Sequence, residues 1–110
     1  MGFQIFGTKK CKDTQKAIRF FKERNISVHF VDLTIKGPSA GELDNISRSV
    51  PLEDLIDVQS KEYKKQNLEY MTFDIREKLL EYPILIQTPI VRNGKQSTVG
   101  YQPEVWKNWL

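Results

Sequence analysis

Along the first third of the chain the spacing of apolar residues changes twice. "GFQIF" places Phe3 and Ile5 on one face of a short alternating stretch, which predicts a β-strand close to the start of the sequence. From Lys12 to Arg24 the period lengthens. Thr14, Ala17, Ile18 and Phe21 share one side, while Lys16, Arg19, Lys22 and Glu23 point elsewhere, as in an amphipathic helix. "SVHFVDL" returns to a strand pattern, and two strands joined by a helix of that length predict a parallel βαβ unit.

Gly37 and Pro38 interrupt the pattern, and Ser39 with Glu42 three residues later forms a capping box for a helix that buries Leu43, Ile46 and Val50 and stops at Pro51. Residues 52–71 predict short helical turns, so 38–71 reads as a helical excursion. A further helix is expected to start at Thr72, carry Ile75, Leu79 and Tyr82 on one face and end at Pro83. "ILIQTPIV" then reads as a strand covered on both faces. Asn93-Gly94 marks a tight type I′ hairpin, with the return strand at about 95–99. Pro103 opens a last helix that docks Val105, Trp106 and Trp109. The expected architecture is a single α/β domain of thioredoxin-like fold: a mixed four-stranded sheet, helices on both faces, and an inserted helical segment. Its parts are 1–37 (βαβ), 38–71 (insertion) and 72–110 (helix, hairpin and final helix).

The 110 residues suffice for one hydrophobic core. No apolar run reaches the roughly 20 residues of a membrane span, and "MGFQIFGTKK" lacks a signal-peptide pattern; a cytoplasmic protein without membrane association is expected. The formal charge is +3, unevenly spread: residues 1–36 carry eight Lys/Arg against three acids, and 37–57 reverse the sign. A positive field of that kind favours anionic partners, although lysines commonly mark only a solvated face. A single cysteine excludes an internal disulfide and, with His29 as the one histidine, argues against a metal site. His29 fits a strand position better than a ligand.

That cysteine, Cys11, lies where the first strand's loop meets the first helix, between Lys9, Lys10 and Lys12. Unpaired N–H groups at a helix start and neighbouring cations favour a thiolate, and Thr14 lies on the same side of the helix, within reach of the sulfur. The competing reading is a buried, inert cysteine; the charged flanks argue for exposure.

"GTKKC…TQKA", Gly37-Pro38-Ser39…Glu42-Leu43, "YPILIQTPIV" and "VGYQPEVWKNWL" in this order resemble the arsenate reductase-like family that contains ArsC, Spx and YffB. The resemblance implies a thioredoxin-like fold, a nucleophilic Cys11, and a cis Thr88-Pro89 bond that brings the Thr88 backbone beside the sulfur to position a thiol substrate. It also exposes departures. The three arginines with which arsenate-reducing members hold the oxyanion would fall near Asp57 to Gln59, at Thr88 and at Gln102, and none is arginine. The Cys-x-x-Cys pair of redox-sensing Spx proteins is here Cys11-Lys12-Asp13-Thr14. With no resolving cysteine, a monothiol mechanism is expected. The expected roles are Cys11 as nucleophile, Thr14 as donor to it, and Lys9, Lys10, Lys12, Thr88 and Pro89 as substrate-binding residues. No bound cofactor is expected; glutathione or another small thiol is the expected co-substrate, and the expected partner of a monomeric chain is a small thiol or an oxidised protein. The alternatives are an Spx-like regulator docking on RNA polymerase without reading DNA directly, and a non-catalytic family member.

Overall fold

In the computed structural model, which describes residues 2–110, Phe3–Gly7 forms β1 at the interior of a four-stranded sheet of order β2-β1-β3-β4. Helix α1 (Lys12–Glu23) crosses over to β2 (Val28–Asp32), which pairs parallel to β1 in the register Phe3↔Val28 to Gly7↔Asp32. β3 (Ile90–Asn93) runs antiparallel on the other side of β1, and β4 (Gln96–Val99) antiparallel to β3. This is the mixed sheet of a thioredoxin-like fold.

The pleat divides the interior in two. The cross-strand pair Ile5–Val91 points to one face, where Ala17, Phe20 and Phe21 of α1 and Trp106 of the last helix, α6 (Pro103–Asn108), cover it. The pair Phe6–Ile90 points to the other, beneath Leu43 and Ile46 of α2 (Ala40–Ser47), Leu55 of α3 (Leu52–Leu55) and Leu79 of α5 (Ile75–Glu81). Between α3 and α5 lie α4 (Lys61–Lys65) and a 3-10 turn at Leu68–Tyr70.

Several boundaries differ from expectation for local reasons. Phe20 rather than Ile18 completes the buried stripe of α1, because Trp106 packs on it from the far end of the chain, ring centroids 5.3 Å apart. Helix α2 ends at Ser47, leaving Val50 buried but outside it. Asp74, not Thr72, caps α5: its carboxylate accepts the Glu77 N–H at 3.0 Å. "ILIQTPIV" is not one strand. Pro83–Leu85 is a 3-10 turn, Ile86 makes a lone antiparallel bridge to Ile56, and the cis bond Thr88–Pro89 precedes β3. The hairpin turns on Gly94 and Lys95, with Gly94 alone at positive φ (59°), the pattern of a type II′ rather than a type I′ turn.

The ends of β1, β2 and β4 and the start of β3 converge at one end of the sheet. Loops at that end carry Cys11, Ile35 and Thr88.

Candidate functional site

Cys11 is the N-cap residue of α1, extended at φ −76° and ψ 120°. Its N–H donates to the Thr8 carbonyl at 3.2 Å, closing a tight turn through Lys9 and Lys10, and its own carbonyl accepts the Gln15 N–H at 3.1 Å. The Gln15 side chain reaches back to the Lys9 carbonyl at 2.6 Å, so the turn is pinned from the helix. Glycine at position 7 is what lets α1 start here: a Cβ there would meet Thr14 Oγ1 at 2.5 Å and Cγ2 at 2.6 Å. The strand end and the first helical turn therefore touch directly, and Thr14 is fully buried between them.

The sulfur is partly exposed. Thr88 Oγ1–H donates to Sγ at 3.1 Å, and the thiol in turn lies 3.9 Å from the Thr88 carbonyl, at the limit for a sulfur donor. Burial pushes the Cys11 thiol up, and the Thr14 hydroxyl, the Thr88 hydroxyl and the backbone N–H groups of Thr14 and Asp13 together outweigh it, so the thiol sits below its ordinary value. The two hydroxyls act differently. Thr14 Oγ1 is buried and completes no hydrogen bond of good geometry, so its effect on sulfur is that of a nearby dipole, whereas Thr88 forms a directed bond.

Cys11, Thr14, Thr88 and Pro89 are thus brought together. Lys9 and Lys10 lie exposed in the turn and Lys12 exposed at the first helical position, and none is among the groups that lower the thiol. Solvated ammonium groups are screened, whereas N–H groups and hydroxyls at contact distance are not. Sequence reasoning assigned Thr88 a backbone role and did not see its hydroxyl; a threonine directly before the proline was the available signal. It also passed over Gly7, legible only as a glycine at a strand end.

Arg76 and Arg92 do not take the place of the absent oxyanion ligands. Arg76 is held by Asp44 through two hydrogen bonds of 2.7 and 3.1 Å, and Arg92 donates to Asn45 and Gln4, both at 2.9 Å, with Glu42 3.7 Å away. Gln102 precedes α6 and reaches only the Val99 carbonyl. Among the described residues no three His, Cys, Asp or Glu side chains are grouped to hold a metal. No helix there is long and apolar enough to cross a membrane.

A thioredoxin-like sheet with one cysteine at the start of its first helix, and a threonine before a cis proline in contact with it, defines a fold class. Within that class, the model of the ArsC family matches residues 6–109, and the chain belongs to that family. Among curated relatives, "Global transcriptional regulator Spx 2" of Oceanobacillus iheyensis is 27% identical over 115 residues, spanning 100% of this chain and 84% of the relative. An ArsC family related protein from Bacteroides fragilis superposes with a TM-score of 0.85 at 24% identity, covering 100% of this chain and 98% of that one. An arsenate reductase from Vibrio cholerae gives 0.84 at 22%, with the same coverage. At those identities the two structures show a shared fold.

Proposed function

We propose that this chain is a monothiol oxidoreductase acting through Cys11. The observation that carries the reading is the 3.1 Å bond from Thr88 Oγ1 to a partly exposed sulfur at a helix start, an arrangement that favours thiolate. The Cys11 thiolate attacks one sulfur of a disulfide substrate; a Cys11–substrate disulfide forms as the original S–S bond breaks, and the electron pair leaves on the departing sulfur as thiolate. An external small thiol, glutathione or its like, then displaces the substrate from Cys11. A second molecule restores the Cys11 thiolate, and the two external sulfurs leave as their own disulfide. Both electrons come from the external thiols, whose protons end on the two released substrate thiols.

Thr88 and Pro89 position the incoming sulfur, and Lys9, Lys10 and Lys12 attract anionic substrates. Arsenate is not the preferred substrate, because the three positions where the resemblance places oxyanion-binding arginines hold none, and Arg76 and Arg92 are committed to Asp44, Asn45 and Gln4. Incubation with oxidised glutathione followed by intact-mass measurement tests the mechanism. With one cysteine in the chain, a single adduct is expected, reversible by reduced thiol and missing in Cys11→Ser. A wild-type protein that gains none under oxidising conditions refutes it.

A second reading is favoured by the Oceanobacillus relative, which bears the name of a transcriptional regulator. Under it the chain docks on RNA polymerase and works without turnover. Polymerase pull-down by Cys11→Ser as efficiently as by wild type, with no glutathione adduct on either, is the result that would replace the first reading by this one.

A further inference from the structure

Two hollows adjoin at the loop end of the sheet. One, of about 380 Å³, is lined by Thr8, Lys9, Lys10, Asp32, Thr34 and Ile84. Thr8 is the residue whose carbonyl holds the Cys11 N–H, so this hollow opens on the turn that carries the sulfur. The other, of about 340 Å³, shares Lys9 and Asp32 with it and continues past Ile35 to His29. Its wall includes four consecutive residues of β2, His29 to Asp32. Side chains on one face of a strand alternate, so a wall of consecutive residues lies along the strand's side rather than on a face. β2 is an edge of the sheet, and its outer backbone groups pair with no other strand.

The chemistry of this trough is uneven. Ile35 is 79% exposed and Ile84 45%, two large apolar side chains held in water close to the candidate site. Asp32 is already engaged, accepting from the Thr34 N–H at 2.9 Å and from the Thr34 hydroxyl at 2.7 Å. Lys9 and Lys10 form no ion pair within 4 Å among the described residues. What the trough offers is therefore an open strand edge, two apolar contacts and three lysines, Lys9, Lys10 and Lys36, against the one carboxylate of Asp32, which feels the Lys9 charge. A complementary occupant is extended, partly apolar and acidic. A lone small thiol has no use for such a length of surface.

We propose that the disulfide on which Cys11 acts is carried by a protein, in an extended acidic and apolar segment that lies in this trough along β2. The inference rests on the thiol-exchange reading above and adds the substrate class to it. Apolar side chains of the segment cover Ile35 and Ile84, its carboxylates meet Lys9 and Lys10, and its sulfur is delivered to the helix start.

The test uses 2-thiopyridyl mixed disulfides of three thiols: a peptide with leucine and glutamate around its cysteine, the same peptide with lysine for glutamate, and 2-mercaptoethanol. Cys11 attack forms the mixed disulfide with the thiol and releases coloured pyridine thione, which gives the rate. The acidic peptide is expected to react at least about tenfold faster than the basic one at low salt, the preference shrinking as salt is added. In the double variant Ile35→Asn, Ile84→Asn, the rate for the acidic peptide relative to the mercaptoethanol compound should fall at least about threefold, a ratio that cancels any change in the thiol itself. Both side chains are exposed, and an unchanged thermal midpoint confirms an intact fold. Equal rates for the two peptides, or a ratio untouched by the double variant, overturns the trough. Failure of the mercaptoethanol compound to react at all overturns the thiol-exchange reading, and this inference with it.

Discussion

At the scale of single residues, two hydroxyls act on one sulfur at different cost to the fold. Thr88 is partly exposed and donates directly, so Thr88→Val is expected to leave stability nearly unchanged and to raise the Cys11 thiol, slowing alkylation near neutral pH severalfold. Thr14 is fully buried with no partner for Oγ1, and a buried hydroxyl left unpaired costs about 1–3 kcal/mol. Thr14→Val removes that cost while keeping the shape. The expected outcome is a higher melting temperature together with a less reactive Cys11, read by calorimetry and by iodoacetamide rate on the same sample. A drop in stability would mean that the hydroxyl is satisfied in solution. Because the folded thiol lies below its unfolded value, ionisation of Cys11 contributes stability that is complete above the unfolded value near 8.5 and is lost as pH falls through the folded one.

At the scale of elements, cap chemistry was readable where it is local. Ser39 and Glu42 form the full reciprocal box, the Ser39 hydroxyl accepting from the Glu42 N–H at 3.1 Å and the Glu42 carboxylate from the Ser39 N–H at 2.9 Å. Burial raises the Glu42 carboxyl, but the Ser39 and Gln4 hydrogen bonds and the Arg92 charge overcome it and hold it low. Ser39→Ala should cost about 1 kcal/mol in denaturant unfolding, and the carboxylate's share of that box should vanish as pH falls through the lowered Glu42 value. The end of α1 is equally local: Asn25 takes φ 57°, its N–H bonds the Lys22 carbonyl and the Ile26 N–H bonds that of Phe21, a Schellman turn that aims the chain into β2. What stayed illegible was non-local. "ILIQTPIV" has the composition of a buried strand, yet Leu85 and Ile86 are apolar because they pack with residues of α3 and α5, and the hydrogen bonds here run from the Asp57 N–H to the Leu85 carbonyl and from the Gln87 N–H to the Leu55 carbonyl rather than to the sheet. The Thr88 hydroxyl was hidden for the same reason, since only the fold brings residues 77 positions apart into contact.

At the scale of the whole molecule, two separate cores meet at β1 and β3, and each is closed by a segment distant in sequence. Trp106 is fully buried, lies 5.3 to 5.6 Å from the rings of Phe20, Phe21 and Tyr101, and donates its Nε1–H to Thr98 Oγ1 at 2.8 Å. Trp106→Ala should cost about 3–5 kcal/mol, enough to halve the stability of a typical small domain, measured as a lowered urea midpoint. On the opposite face, Gly37 lies so close to the Pro83 ring that a Cβ would overlap it, which ties the end of β2 to the segment leading into the cis proline. Gly37→Ala is therefore expected to displace the loop that presents Thr88, lowering Cys11 reactivity without touching any residue beside the sulfur. The order of elements, the mixed sheet and the position of the cysteine followed from periodicity and cap signals. The division into two cores, and the loop that completes the site, required the chain to be closed on itself.

The most direct test of the central claim is the rate of Cys11 alkylation by iodoacetamide across pH in the wild-type protein. The account predicts a midpoint clearly below that of free cysteine and moved upward by Thr88→Val. A wild-type curve that coincides with free cysteine, or lies above it, contradicts the claim that this helix start holds a thiolate.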